Sequence, residues 1–524
     1  QTIGVSVMSL EQVCRLGEEP GIDEARSNSG AEHDSHSDRD ANLAESGVRR
    51  PDRDANLAES GVRRPGPEAS LPELGMGNEE TPATILYTSG TTGEPKGVVL
   101  AHRSFLFQCE RVPGPIGLKP GHVVMTTLPV WQSFERSTEY VVLAAGATIA
   151  YSKPMLSAMN SDLAIYKPHY ITAVPRIWKG LQHSYQSELA GAVKSLLAMV
   201  ADRYARVADR LLGRRPVWAK RSDIVRRLSL LPLWVFLIVP GYLGRFVAFR
   251  SFRRRFGHRF RAGISGGGAM PRHTDRFFRA AGLSLLESYG LTECGSLLAM
   301  REWRRPVVGT VGRLYRDIAS RIVDASGTEV SVGQRGVLHI RSESVMTGYY
   351  KSPELTSEVY NWGWLNTGDI VMRSRRNELC ILGRAKDTII LLGGENVEPE
   401  PIEQRLTRSS LIKDAVVVGQ DRRFLGALIV VDPEEARRLL RAHGEHRGEA
   451  ENINLNSSVL QNRIRQEIAE AVSAGNGYRL HEQIYRFSLL ERPFEAPGEL
   501  THTGKKRRAV IEQHFRDQIE AMYN

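Results

Sequence analysis

Tyr87-Thr-Ser-Gly-Thr-Thr-Gly-Glu-Pro-Lys-Gly97 is the stretch on which the reading of this chain turns. It follows a short apolar run, Ile85–Tyr87, that has the composition of a strand. Glycines let the backbone approach an anion closely, and exposed N–H groups can cradle it. The hydroxyls of Thr88, Ser89, Thr91 and Thr92 can bond phosphate oxygens, and Lys96 adds a positive charge. A Walker A loop requires the spelling GxxxxGK[ST]. Here Lys96 lies between Pro95 and Gly97, so that reading fails. By itself the string is either a phosphate loop or a plain Gly/Thr turn.

Outward from this loop, strand and helix patterns alternate. Val193, Leu196, Leu197, Val200, Tyr204, Val207 and Leu211 recur at helical spacing and predict an amphipathic helix. AGISGGGAM (Ala262–Met270) reads as a strand and a glycine turn, LSLLESYG (Leu283–Gly290) as a strand and a loop, and GQRGVLHIRS (Gly333–Ser342) as a strand. After Asp369, ELCILGR and DTIILLGG read as two strands with a tight connection. PEPIEQRL opens a helix with Pro in its first turn, and AVVVGQ and LGALIVVD are two further strands. The alternation implies an α/β body, with a smaller α+β tail beginning near Gly383. Upstream, DRDANLAESGVRRP occurs at Asp38–Pro51 and again, identically, at Asp52–Pro65. Two polar 14-residue copies do not make a solenoid, and residues 1–80 read as a disordered, duplicated linker.

Composition narrows the classes. The 524 residues correspond to about three domains. With 41% apolar and 25% charged residues, the chain is neither collagen-like nor wholly disordered. Cys14, Cys109, Cys294 and Cys380 lie far apart, which argues against a disulfide scaffold or a cysteine zinc site and fits a reducing, cytoplasmic compartment. His443 and His446 form HGEH in a polar stretch that reads as a solvated loop rather than a metal site. No basic region followed by an apolar one lies near Gln1, so no secretory signal is expected.

The charge is uneven. Arg203–Arg261 holds 16 Lys and Arg against Asp209 and Asp223, a local +14 in a chain of net +10. Within it, LLPLWVFLIVPGYL (Leu230–Leu243) carries no charge and is interrupted by Pro232 and Pro240. Fourteen residues are short for a bilayer span. A buried core segment with solvated basic flanks and a peripheral contact with the inner membrane surface are both open readings. Nucleic-acid binding is disfavoured, because no aromatic-interleaved or zinc-finger pattern accompanies the arginines.

With these blocks in view, the sequence resembles the adenylate-forming superfamily, and within it the long-chain fatty acyl-CoA synthetases and acyl-[acyl-carrier-protein] ligases. The resemblance runs in order through YTSGTTGEPKG, LPVWQSFER (Leu128–Arg136), AVPRIW (Ala173–Trp178), ISGGGAMP (Ile264–Pro271), ESYGLTECG (Glu287–Gly295), GWLNTGD (Gly363–Asp369), GRAKDTIILLGGENVEP (Gly383–Pro399) and LTHTGKKRR (Leu500–Arg508). It implies a linker and remnant of an N-terminal subdomain at 1–80, an AMP-binding adenylation domain of layered sheets and helices at 81–382, and a small mobile α+β domain at 383–524.

The resemblance also implies site roles. ATP or AMP would be bound by Thr88, Ser89, Gly90, Thr91, Thr92, Gly93, Lys96, Gly267, Gly268, Tyr289, Gly290, Asp369 and Arg384. Tyr289 would offer a face to adenine, and Asp369 its carboxylate to the ribose. Thr88 and Glu293 would be the Mg²⁺ pair, with oxygen ligands suited to a hard cation. Lys505, Thr292 and Glu293 would be catalytic; Lys506, one place on, is the alternative ammonium. Trp131, Gln132 and Gly266 would line the acyl pocket, with Gln132 standing where relatives commonly have His. Lys386 would be the hinge, and Gly393 and Gly394 the thiol path. The implied reaction consumes ATP and a long-chain fatty acid, forms an acyl-adenylate, and transfers the acyl group to CoA, or alternatively to an acyl carrier protein. Relatives carry a longer segment before the phosphate loop than the 86 residues found here. A truncated homologue that binds nucleotide or lipid without turnover is therefore the rival reading.

Overall fold

The structure, a computed structural model, describes residues 78–89, 95–189, 191–218, 229–445, 453–496, 498–501 and 504–523. The duplicated repeat, most of the 1–80 segment, Gly90–Glu94 and His446 lie outside these residues. The apolar run before the phosphate loop forms β1 (Pro82–Ser89), which returns antiparallel as β2 (Pro95–Ala101). Their register sets Thr88 opposite Lys96 and Ser89 opposite Pro95.

The largest sheet contains β3 (Val123–Thr126), β4 (Thr148–Tyr151), β5 (Tyr170–Ala173), β6 (Ala262–Ser265), β7 (Leu285–Leu291), β8 (Ser296–Met300) and β9 (Arg313–Leu314). Its order is β4-β3-β5-β6-β7-β8-β9. The first five of these strands run parallel, and β8 and β9 are antiparallel additions. Parallel strands need helical crossovers. These include α1 (Ser133–Ala144) between β3 and β4, and α2 (Pro175–Gln186), α3 (Ala192–Leu211), α4 (Leu231–Ala248) and α5 (Arg250–Phe256) between β5 and β6. The last is α6 (Arg272–Ala281), between β6 and β7. Every residue of β5 and β6 is buried, as expected for strands covered on both faces. Trp178 of α2 lies so close over β6 that a Cβ on Gly263 would sit 2.2 Å from its Cη2. Phe278 meets the same indole edge-on at 5.6 Å, in a core shared with Phe249, Phe252 and Phe256.

A second sheet follows: β10 (Ala319–Val323), β11 (Arg335–Arg341), β13 (Tyr360–Asn361), β14 (Trp364–Arg373) and β15 (Leu379–Arg384). The short β12 (Gly348–Tyr349) instead joins β2. The C-terminal part has the hairpin β16 (Ile389–Ile390) and β17 (Asn396–Val397), then α7 (Pro399–Leu406) and the sheet β18 (Ile412–Val418), β19 (Leu425–Val431), β20 (Ile484–Leu490). It buries its own core, including Val397, Leu406, Val417, Ile429 and Ile464. The architecture is thus a large mixed α/β body followed by a smaller α+β unit.

Three elements differ from the sequence reading. β7 runs on through Gly290 to Leu291, because this end pairs with β8. The run DTIILLGG holds only a two-residue strand before turning. Leu230–Leu243 is not interrupted by its prolines: Pro232 occupies the first turn of α4, where a missing N–H costs nothing, and the helix continues through Pro240. Nor is it a buried core segment, since only 22% of α4 is buried.

Arg301, just after β8, is a buried cation at 1% exposure. Its guanidinium pairs with Asp275 of α6 at 3.0 Å and Glu287 of β7 at 2.5 Å, and Nε donates to the Thr310 carbonyl. Burial pushes the Glu287 carboxyl up, and Arg301 opposes that shift. Removing one partner of such a cluster leaves an uncompensated buried charge. Arg301→Met is therefore expected to destabilise the chain by about 3–5 kcal/mol in urea unfolding. With no counter-charge, the buried Glu287 carboxyl would hold its proton more tightly folded than unfolded, so the deficit should shrink as pH falls. An unchanged urea midpoint would show that the cluster is dispensable.

Candidate functional site

Asp369 is the centre of the site. Its side chain is 3% exposed. It stands directly opposite Arg384 in the β14–β15 register, so the cross-strand pair follows from strand alignment. Arg384 Nε lies 2.9 Å from Oδ1, and the Tyr289 hydroxyl donates to Oδ2 at 2.6 Å. Burial raises the Asp369 carboxyl, while Arg384, Tyr289 and Lys505 hold it down. Each carboxylate oxygen keeps a second lone pair for an incoming hydroxyl. The Tyr289 ring is packed with Leu86, Val98 and Leu298 and is only 8% exposed. Its evident work here is to hold Asp369; little of the ring faces outward for stacking. A Cβ on Gly290 would sit 1.5 Å from the Ser296 carbonyl, so glycine is needed where β7 crosses β8.

A second group surrounds Glu293. Tyr349 on β12 donates its hydroxyl to Glu293 Oε1 at 3.0 Å, and Lys96 Nζ lies 5.3 Å from the centre of the Tyr349 ring. Lys96 of the hairpin is thereby brought beside the ESYGLTE segment, far away in sequence. Glu293 Oε2 has no hydrogen-bond partner among the described residues. An uncommitted carboxylate oxygen, with the Thr292 hydroxyl one residue away, is a donor set suited to Mg²⁺ bridging substrate phosphates. Thr292 itself bonds the Ser133 hydroxyl at 3.2 Å, and Thr88 donates to the Lys96 carbonyl at 3.4 Å. Among the described residues no group of three or more His, Cys, Asp and Glu is arranged to hold a metal unaided.

The adjacent lysines of the C-terminal tail have different surroundings. Lys506 is committed: its ammonium pairs with Glu403 at 3.0 Å and Asp414 at 2.9 Å and donates to the Ala415 carbonyl. Lys505 has no ion-pair partner among the described residues. It lies within the electrostatic reach of Arg384, Asp369, Glu400 and Glu293. Crowding by protein, then Arg384, lowers its pKa, and the three carboxylates oppose the shift. The residue is nevertheless exposed, so water limits that displacement. The Lys505 turn is tied down by Glu499, which is 2% exposed. That carboxylate takes a forked bond from Arg492 at 2.8 and 2.6 Å and one from the Glu495 N–H at 3.0 Å, and lies 3.1 Å from His514 Nδ1.

Among the described residues, few polar contacts join the C-terminal unit to the body. Arg335 pairs with Glu398 at 2.7 Å, and Lys179 donates to the Lys413 carbonyl at 3.4 Å. Lys386 lies exposed in a single 3₁₀ turn between β15 and β16. Gly393 and Gly394 form the turn between β16 and β17, where Gly394 has φ of +85° and nothing approaches its open side within 4 Å. Lys505 is within electrostatic reach of Asp369.

The acyl-pocket residues are only partly gathered. An apolar cavity of about 20 Å³ is lined by Val124, Phe134, Val141, Thr172, Ile264 and Met300. A Cβ on Gly266 would meet Phe134 at 2.8 Å and Ser288 Oγ at 2.9 Å, so Gly266 closes this wall. Trp131 is 67% exposed and lines no part of the cavity. Gln132 precedes α1 as its N-cap, without a capping side-chain bond. Gly267, at φ +79°, and Gly268 continue the loop, whose Met270 N–H donates to Glu287 at 3.0 Å. Gly90, Thr91, Thr92 and Gly93 lie outside the described residues. Cys294, Cys109 and Cys380 are unpaired thiols; burial pushes Cys109 up to about 11, so none resembles an activated nucleophile. Tyr349, Ser133, Arg301 and Glu499 were not legible as site residues: Ser133 falls inside LPVWQSFER and Glu499 directly precedes LTHTGKKRR, whereas Arg301 and Tyr349 lie in no motif block.

The AMP-binding enzyme family model matches residues 15–350, and the AMP-binding enzyme C-terminal domain model matches 386–524. "Probable acyl-activating enzyme 16, chloroplastic" of Arabidopsis thaliana is 31% identical over 475 residues, covering 84% of this chain and 63% of its own length. "Long-chain-fatty-acid--[acyl-carrier-protein] ligase AEE15, chloroplastic" of the same plant is 31% identical over 471 residues, covering 85% and 62%. "Long-chain-fatty-acid--CoA ligase FadD15" of Mycobacterium tuberculosis is 29% identical over 454 residues, covering 84% and 69%. The chain thus spans less than two thirds of the length of the first two. Among solved structures, the O-succinylbenzoate CoA synthetase MenE of Bacillus subtilis with its acyl-adenylate OSB-AMP has a TM-score of 0.58 at 18% identity, covering 83% of this chain and 70% of that one. The adenylation domain of a Mycobacterium chelonae carboxylate reductase has a TM-score of 0.60 at 23% identity, covering 85% and 60%. These two likenesses establish the fold.

The Glu499 anchor gives a pH test. Arg492 first, then His514 and the Glu495 N–H, hold its carboxyl down to about 2, against 4.5 when free. A depressed acid contributes stability above its unfolded pKa and loses it as pH falls toward the folded one. Unfolding free energy of the wild type should therefore fall between about pH 5 and pH 2, and Glu499→Gln should lack that component. At pH 7 the variant should be about 1–3 kcal/mol less stable. Parallel pH profiles for the two proteins would remove the anchor role.

Proposed function

The chain belongs to the AMP-binding enzyme family, and on that premise we propose that it activates a long-chain fatty acid with ATP and passes the acyl group to a thiol, that of CoA. The observation that carries this reading is the uncommitted Lys505 ammonium beside Asp369, Arg384 and Glu293, while its neighbour Lys506 is fully paired. In the first step a carboxylate oxygen attacks the α-phosphorus of ATP and pyrophosphate departs. Lys505 steadies the negative charge that builds there, and Lys96 holds the leaving phosphates. Asp369 fixes the ribose. Bound Mg²⁺, held by Glu293 with Thr88, would neutralise phosphate charge. In the second step the thiol sulfur attacks the acyl carbon, AMP leaves with the bonding electrons, and the thiol proton passes to water. No covalent nucleophile of the chain is needed.

The sparse, polar contacts of the C-terminal unit support rotation between the two steps, since such interfaces favour domain motion. Lys505 serves adenylation; turning about Lys386 brings Gly393 and Gly394 into the thiol path. Acyl carrier protein is the second reading for the acceptor, favoured by the 31% identity to a relative named for that acceptor.

Pyrophosphate release from ATP and a panel of fatty acids tests the first half-reaction and separates turnover from nucleotide or lipid binding alone. Lys96→Ala and Thr92→Val should each slow it. Lys505→Ala should lower adenylate formation by about 10²–10³-fold while thioester formation from supplied acyl-adenylate persists. Lys506→Ala should instead lower thermal stability, because it strips Glu403 and Asp414 of their partner. Lys386→Pro forces Ala385 out of the helical region it occupies in the 3₁₀ turn, and should spare adenylation while blocking transfer. Normal adenylation by Lys505→Ala would overturn the assignment.

A further inference from the structure

The helix α4 is apolar on both its inner and its outer face. Its inner face, with Leu237, Gly241, Gly244 and Ala248, packs antiparallel along α3: Gly241 against Tyr204 and Gly244 against the Leu197 carbonyl. Its outer face runs Val235, Phe236, Val239, Tyr242, Leu243, Phe246 at helical spacing, all exposed, with Phe236 at 76% and Val239 at 75%. The first half of α3 adds exposed Val193, Leu196 and Met199. Isolated exposed apolar residues are ordinary, but a continuous stripe over about three turns marks a contact surface.

The charges beside the stripe identify what it meets. The three acidic side chains described between residues 188 and 261 are all taken by arginines. Glu188 pairs with Arg255, Asp202 with Arg206 and Arg276, and Asp209 with Arg279. Arg203, Arg210, Arg250, Arg253, Arg254 and Arg259 are exposed and have no ion-pair partner among the described residues. Arg250 continues the apolar face directly, its guanidinium 5.7 Å from the centre of the Phe246 ring. An apolar stripe flanked by cations matches the acyl chains and anionic headgroups of a bilayer surface. We propose that the α3–α4 hairpin lies in the plane of a membrane containing anionic phospholipids, with the outer face of α4 among the acyl chains and these arginines at the phosphates.

The hairpin does not cross the bilayer. Its 18 residues are long and apolar enough by composition. But Arg245 of α4 is tied to the carbonyls of Arg279 and Ala280, and Asp209 of α3 to Arg279, so both helices are fastened to α6 in the body. Only the outward face is free to enter lipid.

The test uses the full chain and sedimented vesicles of phosphatidylcholine with or without about 30 mol% phosphatidylglycerol. Binding should be several-fold stronger to the anionic vesicles and should weaken as salt rises from about 0.05 to 0.5 M. Phe236→Ser with Val239→Ser should reduce it about tenfold or more, with the thermal melt unchanged because both residues are on the surface. Arg250→Gln, Arg253→Gln and Arg254→Gln together should remove most of the preference for anionic lipid. Phe236→Trp keeps an apolar ring at the site, and brominated acyl chains should quench its fluorescence. Equal binding by the serine variant, or no quenching of Trp by brominated lipid, overturns the proposal. So does wild-type self-association, in sedimentation velocity, that the serine pair abolishes without any vesicle binding. RNA binding insensitive to the serine pair, in place of vesicle binding, would overturn it equally.

Discussion

A single buried guanidinium ties together the parts on which the site stands. Arg301 draws α6, β7 and the loop before β9 to one point by pairing with Asp275, Glu287 and the Thr310 carbonyl. Glu287 then uses its other oxygen to hold the Met270 N–H, at the end of the glycine loop. Two residues further along β7, Tyr289 grips Asp369, and the strand pairs with β8 at Gly290 so closely that no side chain fits. A charge cluster in so poorly hydrated a place tolerates no loss of a partner, and this makes the geometry of β7 and its two flanking loops stiff. Positioning an α-phosphorus, a carboxylate and a lysine together requires such stiffness more than it requires reactive side chains.

The C-terminal unit is attached by the opposite means. Its own core is apolar and closed, but among the described residues its junction with the body rests on a few polar contacts such as Arg335–Glu398. Lys505 is held in a turn whose anchor, Glu499, belongs wholly to that unit. The lysine and its supports therefore travel together. Lys506 is bound to Glu403 and Asp414 of the same unit, so it moves with the unit and stays committed to those two carboxylates. A rigid body and a weakly seated, internally rigid tail form a pairing in which one face and then another can be offered to the same nucleotide.

The α3–α4 hairpin solves a different problem. Its arginines are of two kinds that composition cannot separate. Arg245, Arg255, Arg276 and Arg279 are structural, spent on carbonyls or carboxylates. Arg203, Arg210, Arg250, Arg253, Arg254 and Arg259 are exposed and have no ion-pair partner among the described residues. A fatty acid substrate is itself lodged in lipid, and a surface of this kind would bring the proposed acyl site to its supply.

The motif blocks already carried the family, the order of the α/β body and α+β tail, and the identities of Asp369, Arg384, Glu293 and Lys96, because those features are local strings with local chemistry. The helix over Ala192–Leu211 and the paired strands near Ala415 and Leu428 were legible for the same reason: periodicity is a property of neighbours in sequence. What tertiary structure alone decided are matters of distance between segments far apart in the chain. Lys505 and Lys506 are indistinguishable as letters, and only the positions of Glu403 and Asp414 show which ammonium is spent. Leu230–Leu243 has the same composition whether buried or exposed, and only α3 and α6 determine which face is left to water. Tyr349 and Glu499 lack any motif of their own, because a hydrogen bond to a distant carboxylate leaves no periodic trace in the sequence that makes it.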